Sequence, residues 1–243
     1  MFRLRHGFAA ALMAALLLPV GLLALAPDAA GARSEDSILQ ATEAPLLAAT
    51  PRPGAVLFRD DFHTHSGRWV VSDDEHGVIA YRSGALHVTV QASGGNLWSV
   101  PDFSVPLGDY RLEVLAALRE GGPETEFGLV LDYVDETRFD AWVVSPRGRW
   151  RWLRWQDGEW HDLTPGDAAP FEVQIGVGVL RLRADVMADA TELYVNGFQV
   201  GTLSLVRDPG DRLGVIALAG ERAATIAFDD VVLTNLAGRG RGR

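Results

Sequence analysis

The chain has 243 residues, a formal charge of −10 and no cysteine. The missing thiol excludes disulfides, thiolate metal sites and a cysteine nucleophile, and the acidic balance argues against nucleic acid, whose phosphates need clustered positive charge. Hydrophobic residues make up 48% of the chain, enough for a packed core, and the absence of lysine removes Schiff-base chemistry.

At the start, Arg3, Arg5 and His6 precede an apolar run from Phe8 to Ala26 that Pro19 and Gly21 interrupt. Ala30-Gly31-Ala32 then offers a small-residue cleavage site. This order of charged, apolar and small segments reads as a signal peptide over 1–32, so the remainder is expected to be secreted or extracytoplasmic. Left uncleaved, the same run would be a membrane anchor, since it approaches the length that spans a bilayer. Residues 33–54 are rich in Ala, Pro, Ser and Thr and end in Pro51-Arg52-Pro53-Gly54, the composition of an extended linker.

From Ala55 to Leu236 apolar and polar residues alternate between Gly, Pro, Asp and Asn breaks. The expected strands are Leu86–Gln91, Tyr110–Leu118, Glu126–Val134, Arg138–Ser145, Arg149–Trp155, Phe171–Val177, Val179–Met187, Thr191–Val195, Leu213–Leu218 and Ala224–Leu233. No comparable stretch has a helical apolar period. So many short strands suit two packed antiparallel sheets better than one open sheet. Asn196-Gly197, Asp157-Gly158 and Ser83-Gly84 read as tight hairpin turns, and Ser145-Pro146-Arg147-Gly148 as a four-residue turn. The end, 237–243, is a basic Gly/Arg tail.

Several of these pieces occur in a recognisable order. Asp60-Asp61-Phe62 and Gly67-Arg68-Trp69 are followed by Tyr81-Arg82-Ser83-Gly84, then Phe127-Gly128-Leu129-Val130. The aromatic stretch Arg138 to Trp160, Leu193-Tyr194-Val195-Asn196-Gly197 and Phe228-Asp229-Asp230-Val231 complete the run. Over 56–234 the chain resembles the concanavalin A-like lectin/glucanase jelly-roll domains of secreted bacterial proteins, including the LamG-like and 3-keto-disaccharide hydrolase-like ones. The resemblance implies an all-β, two-sheet antiparallel β-sandwich of the jelly-roll kind. It does not fix activity, because such folds host lectins, adhesion modules, hydrolases and lyases. The Glu-x-Asp-x-x-Glu strand that marks the laminarinase-type glucanases of this superfamily is missing; the nearest acidic run, Asp132 to Glu136, has the wrong spacing.

With Ser145–Gly148 as the turn, Val144 is expected opposite Arg149, Trp142 opposite Arg151, and Asp140 opposite Leu153. Side chains two apart share a face, so Phe139, Ala141, Val143, Trp150 and Trp152 would face the core. Arg138, Asp140, Trp142, Val144, Arg149, Arg151 and Trp155 would lie opposite. The Asp157-Gly158 hairpin would bring Trp160 beside Trp155 and Asp162 beside Leu153. Trp142, Trp155 and Trp160 are then candidate stacking platforms, with Asp140, Arg151 and Asp162 as hydrogen-bonding partners for a sugar. The competing reading makes these tryptophans core, with Trp142 and Arg151 a plain cation–π pair. A one-residue slip would invert the assignment.

Asp61, Asp229 and Asp230 are candidate ligands for a structural Ca²⁺, because terminal strands of jelly rolls run side by side and hard cations take carboxylate oxygen. They are equally suited to capping edges or pairing with Arg59 and Arg222. His63 and His65 make half a metal site without a third ligand. No Gly-x-Ser-x-Gly elbow, His-Glu-x-x-His helix or phosphate loop is present. The expected function is an extracellular non-catalytic module for carbohydrate or another cell-envelope polymer. A 3-keto-glycoside hydrolase or lyase, and a structural or protein-interaction domain, stay open as alternatives.

Overall fold

The computed structural model describes residues 52–91, 95–104, 108–168, 170, 178–204 and 210–236. The expected signal peptide, residues 33–51 of the linker, the strand at Phe171–Val177 and the tail at 237–243 lie outside them.

Fifteen strands are formed among the described residues, and no helix. They are β1 (Val56–Asp60), β2 (Ser72–Asp74), β3 (Gly77–Arg82), β4 (Ala85–Val90), β5 (Asn96–Ser99), β6 (Tyr110–Glu120), β7 (Glu126–Asp135) and β8 (Arg138–Val144). The remainder are β9 (Trp150–Gln156), β10 (Glu159–Asp162), β11 (Leu180–Val186), β12 (Thr191–Val195), β13 (Phe198–Leu203), β14 (Arg212–Leu218) and β15 (Ala224–Asn235). They build two antiparallel sheets. One runs β13-β12-β11-β6-β15-β4-β3-β2 with β1 also on β15; the other runs β10-β9-β8-β7-β14-β5. The first and last strands therefore pair, Asp60 opposite Val231.

Alternation makes the sandwich. Leu86, Val88, Leu112, Val114, Leu182, Ala184 and Phe228 of the first sheet share one buried core with Phe127, Leu129, Trp142, Trp152 and Val215 of the second. Three hairpins close as their turn residues dictate. Ser83-Gly84, Asp157-Gly158 and Asn196-Gly197 all hold φ between 50° and 87°, the left-handed pair that matches strand twist.

Two bulges re-aim side chains. Asp132 takes φ 50°, shifting register within β7, so that Leu131 points inward while Tyr133 joins an outer cluster. Asp230, at φ 49°, does the same in β15, where Phe228 and then Val231 both reach the core.

The β8–β9 connection differs from expectation, and the consequence is large. Gly148 N–H donates to Ser145 O at 3.0 Å and Ser145 N–H to Arg149 O at 2.8 Å, with Gly148 at φ 75°. The loop is therefore three residues, Pro146 to Gly148, a type I turn followed by a left-handed glycine. Val144 now pairs with Trp150, Trp142 with Trp152, and Asp140 with Arg154. One residue of slip reverses β8 relative to β9. Asp140, Trp142 and Val144 face the core together with Trp150 and Trp152, while Phe139, Ala141 and Val143 face outward with Arg151, Leu153 and Trp155.

Candidate functional site

The outer face of the six-stranded sheet carries its own apolar layer. Val130, Phe139, Ala141, Val143, Leu153 and Ile216 are buried there, with Trp98, Trp155 and Trp160 half-buried against them. Gly128 and Gly214 add no side chain to this sheet. A Cβ at Gly128 would run into the carbonyl of Trp142, and one at Gly214 into that of Ser99. Rings crowd over these strands. Phe139 is ringed by Trp98 at 5.0 Å, Tyr133 at 5.6 Å and Trp160 at 5.6 Å between centroids, and Trp155 lies 5.0 Å from Trp160. Such pairs add roughly 0.5–1.5 kcal/mol each beyond their burial. Trp155 is fixed at its polar end, its indole N–H donating to Glu136 O at 3.0 Å. Burial raises the Tyr133 hydroxyl above its ordinary value, against Arg212, whose guanidinium carbon lies 4.6 Å from the ring centre.

Beside this layer runs an open cleft of about 440 Å³, lined by Trp160 together with Asn96, Glu126, Arg149, Arg151 and Asp162. Arg151 joins two of its carboxylates. Its Nε donates to Glu126 Oε1 at 2.9 Å, its Nη2 to Glu126 Oε2, and its Nη1 reaches Asp162 Oδ2 at 3.4 Å. Asp162 is held from the other side by Thr164, whose hydroxyl donates at 2.5 Å and whose N–H donates at 3.0 Å. Burial opposes ionisation of Asp162, but Thr164 and Arg151 outweigh it and keep the carboxyl below its usual range. Arg151 is likewise held charged: burial works against it, and Glu126 and Asp162 more than compensate.

Four candidates from the sequence, Trp155, Trp160, Arg151 and Asp162, thus share one face, as the pairs Trp160–Trp155 and Asp162–Leu153 require. Two are corrected. Trp142 is fully buried between the sheets and presents no ring to a ligand. Asp140 is buried beside it, bound by Arg154 at 2.7 and 2.9 Å and by the Trp152 indole at 3.3 Å. The cause is the shorter turn, which sends β8 the other way up. Trp98, Glu126 and Asn96 were missed. Trp98 and Asn96 come from β5, which no local sequence signal places beside β14, and Glu126 lies at the far end of the β7–β8 hairpin from its turn.

Of the calcium candidates, Asp61 and Asp229 have local hydrogen-bond partners. Although β1 and β15 pair, no group of three or more His, Asp or Glu side chains is placed to hold a metal among the described residues. Asp61 instead accepts from the His63 N–H at 3.1 Å, and Asp229 from the Asp230 N–H at 2.7 Å, as turn and bulge caps. The buried carboxylate of that region is Asp60. It accepts from Phe62 N–H, Ser66 Oγ and Trp69 Nε1 at 2.9–3.2 Å, tying the loop after β1 to the core.

No family model matches the sequence, and no curated protein does. Solved structures do. A carbohydrate-binding module from Bacillus subtilis superposes with TM-score 0.53 at 14% identity, covering 69% of this chain and 95% of that one. A Bacillus licheniformis β-glucanase gives 0.53 at 13%, covering 76% and 100%. A galectin-like protein of unknown function from Bacillus subtilis gives 0.52 at 11%, covering 75% and 97%. At such identities the likeness concerns the fold. The chain has a concanavalin A-like jelly-roll β-sandwich fold.

Proposed function

We propose that this protein is an extracytoplasmic, non-catalytic glycan-binding module whose ligand lies in the Trp160–Arg151 cleft. The observation that carries this reading is the continuity of an aromatic wall with a hydrogen-bonding floor. Trp160 belongs both to the outer ring cluster and to the cleft that Glu126, Arg151 and Asp162 line. A pyranose has C–H groups for the ring and hydroxyls for carboxylate and guanidinium, and sites of this kind pair apolar surface with a few fixed polar groups. The carbohydrate-binding module among the structural neighbours is consistent with it, and the signal-like features of 1–32 support export.

Binding fits the cleft better than hydrolysis. Cleaving a glycosidic bond needs one carboxyl kept protonated as general acid, opposite a second carboxylate. Here Glu126 and Asp162 both bond Arg151, and Asp162 is held ionised.

The test is a glycan-array screen of the folded protein beside Trp160→Ala and Trp155→Ala. Selective binding that Trp160→Ala abolishes, with melting temperature retained, supports the assignment. A silent array on folded protein removes it.

A further inference from the structure

The charges of the cleft are unevenly matched. Glu124 is paired with Arg147 at 2.5 Å, while Glu126 and Asp162 are both taken by Arg151. Arg149, exposed on the same wall, has no acidic partner among the described residues. It also lines a second cleft of about 180 Å³, bounded by Trp150, Thr164 and Pro165, and shares both clefts with Arg151 and Asp162. The loop geometry places it there: Arg149 N–H donates to Ser145 Oγ at 3.3 Å and its carbonyl accepts from Ser145 N–H. The acids of the cleft thus already have cations, and a cation is left without an acid.

Resting on the glycan-binding reading, we infer that the ligand is an acidic glycan, whose carboxylate or sulfate ester pairs with Arg149 while the ring of that sugar or its neighbour lies on Trp160. A guanidinium fork matches a planar carboxylate with two parallel N–H···O bonds, which a neutral sugar cannot reciprocate in charge. The bound Arg151 network supplies fixed acceptors for hydroxyls and does not compete for the anion, because its guanidinium is already occupied.

Titration calorimetry with trigalacturonate, a sulfated galactan oligosaccharide and neutral cellotriose tests this on the purified protein, with Arg149→Ala, Arg149→Lys and Trp160→Ala. The expected result is binding of an acidic oligosaccharide that weakens with salt and falls roughly tenfold or more in Arg149→Ala, the scale of one charged hydrogen bond. Arg149→Lys should recover part of it. Trigalacturonate alone binding identifies a carboxylate; the sulfated oligosaccharide binding equally identifies a general anion site. Neutral cellotriose bound as well as the acidic chains, indifferent to Arg149→Ala but lost in Trp160→Ala, overturns the acidic ligand and keeps the glycan module. Failure of all three, together with a silent array, removes both.

Discussion

Trp155 and Trp160 stand directly opposite each other across β9 and β10, their rings 5.0 Å apart and tilted by 56°. The relationship is fixed by the two-residue Asp157-Gly158 turn, and it places one indole against the Glu136 carbonyl and the other on the wall of the cleft. Trp160 is half-buried on an edge strand, whereas Trp142 is sealed between the sheets. The two tryptophans should therefore answer to different assays.

Trp142→Ala should cost about 3–5 kcal/mol of stability, the range for truncating a large buried aromatic. Trp160→Ala should cost distinctly less while abolishing glycan binding. Urea denaturation of both variants, with binding measured below the transition, separates the two roles. Equal destabilisation by both would contradict the burial difference.

Asp140 is buried, and its partner Arg154 keeps 24% of its side chain exposed. Arg154→Ala leaves the buried Asp140 carboxylate without its guanidinium, so it should lower stability by about 3–5 kcal/mol. Asp140→Ala should cost less, because the Arg154 guanidinium reaches solvent, and the double variant should cost less than the sum of the singles. A double-mutant cycle by chemical denaturation reads the coupling directly.

Gly201 of β13 faces the indole of Trp150, and a Cβ there would approach its ring to 2.6 Å. Gly201→Ala is expected to destabilise by about 1–3 kcal/mol through overpacking. Gly122→Ala, with nothing within 4 Å of its added carbon, should be close to neutral. Thermal unfolding of the two variants checks the contrast.

His87, half-buried on β4, has its pKa lowered by burial first and then by Arg119 and Arg82. Protonation is therefore easier in the unfolded chain than in the folded one. The neutral ring's contribution to stability is present above the unfolded value of about 6.5 and is lost as pH falls through the depressed folded value. His87→Gln should flatten the decline in melting temperature between about pH 7 and pH 5. An unchanged slope in that window would show that other groups set it.

The fold was legible because hairpin signals are local. Asp157-Gly158 and Asn196-Gly197 each specify their turn without help from the rest of the chain, and alternation marks strands such as Thr191–Val195 to the residue. The site was legible only where it hung on such a turn. Trp155, Trp160, Arg151 and Asp162 share a face because the β9–β10 register follows from Asp157-Gly158.

What the sequence determined by itself was the class of architecture, its tight turns and the pairing they enforce. Tertiary structure decided which way up β8 lies. The three-residue turn at Pro146 to Gly148 goes with the burial of Trp142 between the sheets, in a core built from strands distant in sequence. Tertiary structure also brought Glu126 to Arg151, across 25 residues. Side-chain period in a strand is two, so a single residue of loop length, settled only by core packing, decides whether an indole faces the interior or a ligand.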